Sequence, residues 1–400
     1  MRSGVKRCVN APARYQRRIS EVCDMNGTTP LGDSHYPAGL RMLMTVDAVG
    51  GVWRYSMDLA KGLRDAGVDL VFLGFGPQPS PAQRREARGL GILEWADAPL
   101  DWMLGDEASL AHVPALLTAT IARHAIEIVH LNQPSQAVGL DVDIPIITVS
   151  HACALSWFAA VEGTGVPRQW EWQARRNTAG FARADATIAP SRSQAALLES
   201  CYGPIRGVYV VHHASRAPEQ RTRDEPFVLA AARWWDKAKN GALLDEAARD
   251  MIWPVHMAGA MRGPTGDTLE LQNATALGEL PYDAMLAQMA RAGIFVSSSL
   301  YQPFGLAVVE AARAGLLLVL SDIPTYRELW DGVAFFFRPD DPGALAQLVN
   351  RLGASAELRA EFGAAARLRA ARFSAQAQTA AMLRIYADVR RNRPVFAAVG

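Results

Sequence analysis

The feature that most restricts this chain is an alternation of short, continuous apolar runs with helical stretches, begun at Leu40 and begun again after residue 226. In the first series "RMLMTV" reads as a strand, "DAVGG" as a glycine loop and "VWRYSMDLAKGLRDAG" as an amphipathic helix. Val52, Tyr55, Leu59, Leu63 and Ala66 recur there at helical spacing, and Gly67 suits the C-terminal cap. Further strands are expected at "VDLVFLGFG", "IEIVHLN", "PIITVSH", "ATIAPS" and "GVYVVHH". The second series offers "FVLAAAR", "PVHMAG", "GIFVSSS", "LLLVLSD" and "VAFFFRP", with helices between. Strands apolar on both faces, each followed by a helix, belong in a parallel sheet covered on both sides.

Between the two series, residues 214–226 ("ASRAPEQRTRDEP") lose apolar content and collect charge and proline, which marks a linker. The expected architecture is therefore α/β, with two doubly wound, Rossmann-like domains facing across a cleft. Residues 41–215 form the first and residues 216–377 the second, and a C-terminal helix at 378–395 crosses back to join the first. In such sheets ligands bind beyond the carboxyl ends of the strands. A length of 400 residues agrees with two domains.

Basic and acidic residues nearly balance, 41 against 40, so charge gives no case for nucleic acid as a partner. Only Lys6, Lys61, Lys237 and Lys239 are lysines, arginine supplying the rest, so a lysine pair three positions wide stands out. Cys8, Cys23, Cys153 and Cys201 are scattered without metal-ligand spacing and read as reduced thiols of a cytoplasmic protein. No apolar run approaches the ~18 residues of a membrane span. Residues 1–40 carry Arg2, Lys6, Arg7, Arg14, Arg17 and Arg18 without apolar period, as a flexible basic tail does. Met25 offers an alternative start. Contact of this tail with anionic lipid is the second reading of it, a disordered extension the first.

Three windows carry chemistry. "YQPFGLAVVE" is a strand–turn–helix passage with Gln302 eight positions before Glu310. Gly305 admits close backbone approach, the helix start offers amides to phosphate, and a carboxylate at Glu310 suits the vicinal hydroxyls of a ribose. An ordinary buried connection fits that window equally well. "ARWWDKAKN" places Arg233 and Lys239 at a strand's carboxyl end, where two cations suit a diphosphate and a salt-bridged surface is the plain alternative. "VDAVGGVWRY" repeats the glycine device at Gly50 and Gly51 without the dinucleotide fingerprint.

Together, in this order, these windows resemble the family 4 glycosyltransferases (glycosyl transferases group 1), which retain anomeric configuration and have the two-domain GT-B fold. The similarity runs from about Arg41 to about Val389. "YQPFGLAVVEAARAGLLLVLSD" is similar to the family's paired-glutamate segment, "ARWWDKAKN" to its Arg…Lys segment and "MTVDAVGGVWRYSMDLAKGL" to its glycine loop. "APSRSQ" and "GELPYDAML" also sit where the family has comparable stretches. The resemblance implies a nucleotide-sugar donor held mainly by the second domain, an acceptor taken by the first, and no cofactor. Arg233 and Lys239 would neutralise the departing diphosphate and Glu310 would bind the ribose. Backbone at Phe304, Gly305 and Leu306 would meet sugar and phosphate, and backbone around Gly278–Leu280, with both of those residues, would border the base. Gly50 and Gly51 would close over the phosphate, and His151 in "TVSHACALSW" would touch donor sugar or acceptor, a satisfied core histidine being the alternative. His130 and Asn132 are weaker acceptor-side candidates.

The chain departs from the family at two points. Gln302 stands where the family has its first glutamate, on the sugar hydroxyls, and His212-His213 stands where Asn-Gly is common. "DVD" at 141–143 imitates a metal motif of the other glycosyltransferase fold, and no metal is expected. Two functional classes remain: a transferase acting on a glycan, lipid-linked or small-molecule acceptor, with peripheral contact at the inner membrane if the acceptor is lipid-linked, or a non-catalytic relative binding nucleotide or glycan as a partner subunit. An epimerase or phosphorylase on the same fold ranks third, the latter needing a cofactor lysine.

Overall fold

The computed structural model describes residues 39–219, 221–264 and 266–392. The expectations for the basic tail, Met25, Cys8 and Cys23 lie outside them. The described residues divide into two compact units, one holding residues 39–212 and 375–392, the other the described part of His213–Ser374.

In the first unit the strands are β1 (Arg41–Asp47), β2 (Asp69–Phe75), β3 (Ile92–Trp95), β4 (Ile128–Leu131), β5 (Ile146–Val149), β6 (Ala186–Ala189) and β7 (Val208–Val210). They form one sheet in the order β3-β2-β1-β4-β5-β6-β7, every pair parallel. The second unit holds β8 (Glu225–Ala231), β9 (Val255–Ala258), β10 (Thr275–Gly278), β11 (Ala292–Ser297), β12 (Leu317–Ser321) and β13 (Phe335–Phe337). Their order is β10-β9-β8-β11-β12-β13, again all parallel. Each sheet thus starts at its middle, grows to one edge and then restarts on the other side, the doubly wound pattern.

Side-chain alternation explains why both faces are covered. Phe295, Leu318 and Leu320 enter one core of the second unit, with Val309 and Trp330, while Ile294, Val296, Leu317 and Val319 enter the other, with Leu244 and Val349. These central strands read as continuous apolar runs for that reason. The edge strands β3 and β10 escaped the sequence reading because each is partly exposed, Ile92 by 51%.

One segment differs from expectation. The expected linker is not free: its described residues 214–219 and 221–224 form a strap on the second unit. Ala214 and Ala217 are buried, Arg313 Nε donates to the Ala217 carbonyl at 2.6 Å, and Arg221 donates to the Gly315 carbonyl while pairing with Asp224. Arginines satisfying backbone carbonyls let a polar stretch pack. The C-terminal helix spans Ala375–Asn392 and belongs to the first unit, where Tyr386 meets His130 Nδ1 at 2.7 Å. It crosses α1 (Gly51–Asp65) so closely that a Cβ on Gly62 would stand 2.0 Å from Thr379 Oγ1. Among the described residues no helix is long and apolar enough to cross a membrane.

Candidate functional site

In the second sheet the winding reverses between β8 and β11, so the loops leaving these neighbours part to opposite sides and open a crevice at their carboxyl ends. The loop after β8 carries Arg233 and Lys239, and the loop after β11 carries Gln302. Backbone bonds lace the two together. Leu300 N donates to the Ala238 carbonyl at 2.8 Å and Ser298 Oγ to the Lys239 carbonyl at 2.8 Å. Lys239 Nζ then donates to Gln302 Oε1.

Local chemistry shapes the cationic loop. The Asp236 carboxylate accepts from Ala238 N at 3.0 Å and so caps the turn Lys237–Lys239, after which Asn240 turns left-handed (φ 53°) and donates to the Pro339 carbonyl. Arg233 lies 3.7 Å from Asp236, with its guanidinium 5.4 Å from the centre of the Trp235 ring. Lys237 is exposed, whereas Lys239 is half-buried. Desolvation pulls the Lys239 ammonium down to about 8, with Asp236 opposing the shift and Arg233 adding to it.

Gly305 precedes the helix α3 (Leu306–Arg313) at φ 102°, a conformation that side chains rarely adopt. The first amides of a helix have no intrahelical acceptor, so this end presents donors and partial positive charge. Phe304 points away, 2% exposed, against His213 and Phe373 at ring distances of 5.2 and 5.4 Å. Only its backbone is left to a ligand. His213, at the unusual His-His pair, therefore supports the loop from behind.

Glu310, one turn into α3, is 7% exposed and accepts from the Tyr282 hydroxyl at 3.1 Å. Tyr282 begins the helix α2 (Tyr282–Met289), directly after the turn that holds Gly278 and Leu280. Gly278 ends β10 and accepts from Gly259 N at 2.7 Å. The expected base-bordering turn and the expected ribose carboxylate are thus bridged by Tyr282, a residue the sequence reading passed over inside "GELPYDAML".

The first unit has its own reversal, between β1 and β4. Gly50 and Gly51 form the start of α1 after β1, and His151 follows β5. His151 Nε2 lies 2.9 Å from Asn132 Oδ1, and its ring meets Tyr55 edge-on at 4.6 Å. Asn132 Nδ2 donates to the Thr45 carbonyl and to Ser56 Oγ, which fixes the amide with its oxygen toward His151. His151 must then carry its proton on Nε2 and its lone pair on Nδ1. Burial lowers His151 to about 3, with the neighbouring His130 adding, so the ring is neutral at pH 7. His130 is fully buried between Tyr55 and Tyr386 and lies equally low, near 3, through desolvation. It is a core histidine of this network, and Asn132 is the residue that orients His151.

Asp141 and Asp143 of the "DVD" stretch lie exposed in the loop before β5. Cys153 is unbridged and caps a short turn.

Residues 49–214 match the model of Glycosyltransferase Family 4, and residues 262–369 that of Glycosyl transferases group 1. The chain belongs to glycosyltransferase family 4. The matches contain every expected site residue of this family 4 chain except Arg233 and Lys239, which fall between them. It is 24% identical over 320 residues to a glycogen synthase of Mycobacterium tuberculosis, covering 69% of this chain and 75% of that protein. Among solved structures it is similar to a sucrose-phosphate synthase from Thermosynechococcus elongatus (TM-score 0.74, 15% identity, 88% of this chain and 99% of that one). It also resembles HepE of Anabaena in complex with UDP-glucose (TM-score 0.69, 16% identity, 88% and 99%). The fold is GT-B, with two Rossmann-like domains.

Proposed function

We propose that this glycosyltransferase moves a sugar from a nucleoside-diphosphate sugar to a hydroxyl of an unidentified acceptor, with retention and without a metal ion. The observation that carries the reading is the gathering of Arg233, Lys239, Gln302 and the α3 N-terminus at the winding reversal of the second sheet. The bond from the anomeric carbon to the diphosphate breaks with its electrons going to phosphate oxygen, and a bond to the acceptor oxygen forms. Stabilising the departing charge is the largest contribution such a protein can make, and fixed cations and helix amides supply it without reorganisation. In this reading Arg233 and Lys239 hold the diphosphate, and backbone at Phe304, Gly305 and Leu306 meets sugar and phosphate. Gln302 contacts the sugar, Glu310 the ribose, and the Gly278–Leu280 turn the base. The first domain takes the acceptor, with neutral His151, oriented by Asn132, as the polar group offered to it. Retention is what the family resemblance implies. A cytoplasmic setting suits the donor, and a lipid-linked acceptor would bring the enzyme to the inner membrane surface.

Thermal unfolding with UDP, GDP and ADP tests this directly, UDP first because HepE binds it. A nucleotide at 100 times its dissociation constant should stabilise the protein by about 2.7 kcal/mol. Donor hydrolysis and the anomeric NMR signal of the transferred sugar then decide turnover and stereochemistry. No nucleotide effect overturns the proposal, and an inverted anomer overturns retention. Activity is expected to survive EDTA unchanged; loss on chelation with recovery in Mg²⁺ or Mn²⁺ would overturn metal independence.

A further inference from the structure

The contact between Lys239 and Gln302 fixes more than the lysine. An ammonium can only donate, so the Gln302 amide must turn its oxygen toward Lys239, and its NH₂ group becomes the end directed elsewhere. Gln302 Cγ stands 3.4 Å from where a Cβ on Gly305 would lie, which sets the side chain alongside the amides that open α3. Every group assembled here therefore donates: the Lys239 ammonium, the Arg233 guanidinium, the α3 amides and the Gln302 NH₂. The two nearby carboxylates are engaged, Asp236 with Arg233 and the Ala238 amide, Glu310 with Tyr282. A glutamate at 302 would set acceptor oxygens and a negative charge beside the sugar. It would welcome hydroxyl donors and repel a carboxylate or a carbonyl. Glutamine with its oxygen occupied reverses that polarity.

We infer that the donor sugar presents a strong hydrogen-bond acceptor, a carboxylate or an amide carbonyl, to Gln302, an inference that rests on the diphosphate reading above. A sugar carrying hydroxyls alone can offer an oxygen lone pair to the amide, but gains nothing from the surrounding positive field. A uronate gains both the bond and the field; an acetamido sugar gains the bond.

The test uses the full-length chain with glucose, N-acetylglucosamine and glucuronate donors on whichever nucleotide stabilises it. KM for donor hydrolysis and Kd by calorimetry are read for each, and the bare nucleoside diphosphate is titrated separately. The acetamido or uronate donor should have a KM about tenfold or more below that of the glucose donor, as expected when a site is built for a particular polar group. Preference for uronate identifies a carboxylate, preference for N-acetylglucosamine a carbonyl. Gln302→Glu should reverse the order, and Gln302→Leu should flatten it. A wild-type preference for the glucose donor, or the same order in wild type and Gln302→Glu, overturns the inference. Should a variant fail to fold, the wild-type ranking alone decides. Absence of any nucleotide binding would instead remove the diphosphate reading itself.

Discussion

Replacing Lys239 by alanine is expected to lower kcat about 10²–10³-fold, the usual cost of deleting one preorganised donor to a developing anion, while stability does not fall and rises below pH 8 as the cost of holding the charge is relieved. The two effects separate because the ammonium is held at a cost. Its folded value near 8 lies below the ordinary lysine value of 10.5. The folded state therefore disfavours the charged form below pH 8, and this penalty is relieved as pH rises from about 8 toward 10.5. A charge held at such a cost suits the diphosphate role proposed for Lys239. Equal losses of activity and stability would make Lys239 structural.

The same value sets a pH signature. A bound diphosphate favours the protonated lysine and raises its pKa in the complex. Nucleotide affinity should therefore be level below pH 8 and fall as pH rises through about 8, flattening only above the raised value in the complex. Calorimetry across that range, repeated with Lys239→Ala, checks it. The variant should bind more weakly and lose the inflection.

How much of this was legible in the sequence depends on where each residue obtains its partners. Central strands such as β11 and β12 are apolar on both faces, so "GIFVSSS" and "LLLVLSD" announced themselves. Strands β3 and β10 lie at sheet edges, share their faces with solvent and carry no such run. Lys239 and the turn at Gly305 could be found because scarcity and local geometry mark them. The residues that hold the candidate sites in place are distant in sequence and could not. Asn132 fixes His151 through Thr45, which lies 87 positions earlier, and Tyr282 reaches Glu310 across 28. No local period records such pairings. The proline-rich strap misled for the converse reason, since its polar backbone is satisfied by Arg313, far along the chain.

The second large effect is expected at Gly259, which no motif pointed to. Gly259→Ala should destabilise the protein by about 3–4 kcal/mol, the combined cost of a strained backbone and an overpacked contact. Gly259 follows β9 at φ 118°, and a Cβ there would stand 1.9 Å from the Ala232 carbonyl oxygen, a backbone atom that cannot swing aside. Ala232 N in turn donates to the Ala258 carbonyl at 3.1 Å, so β8 and β9 are locked together at this point. Gly332→Ala isolates the conformational part. Its φ is 79°, yet nothing lies within 4 Å of its missing Cβ, so it should cost only about 1–2 kcal/mol. Denaturant unfolding of both variants measures the difference, which is the steric contribution. Arg233 is the next residue after Ala232, so any shift of the Ala232 peptide that relieves the clash at Gly259 is passed to the Arg233 backbone. Nucleotide stabilisation should consequently fall further in Gly259→Ala than in Gly332→Ala. Equal nucleotide effects in the two would show that strain at Gly259 does not reach the diphosphate site.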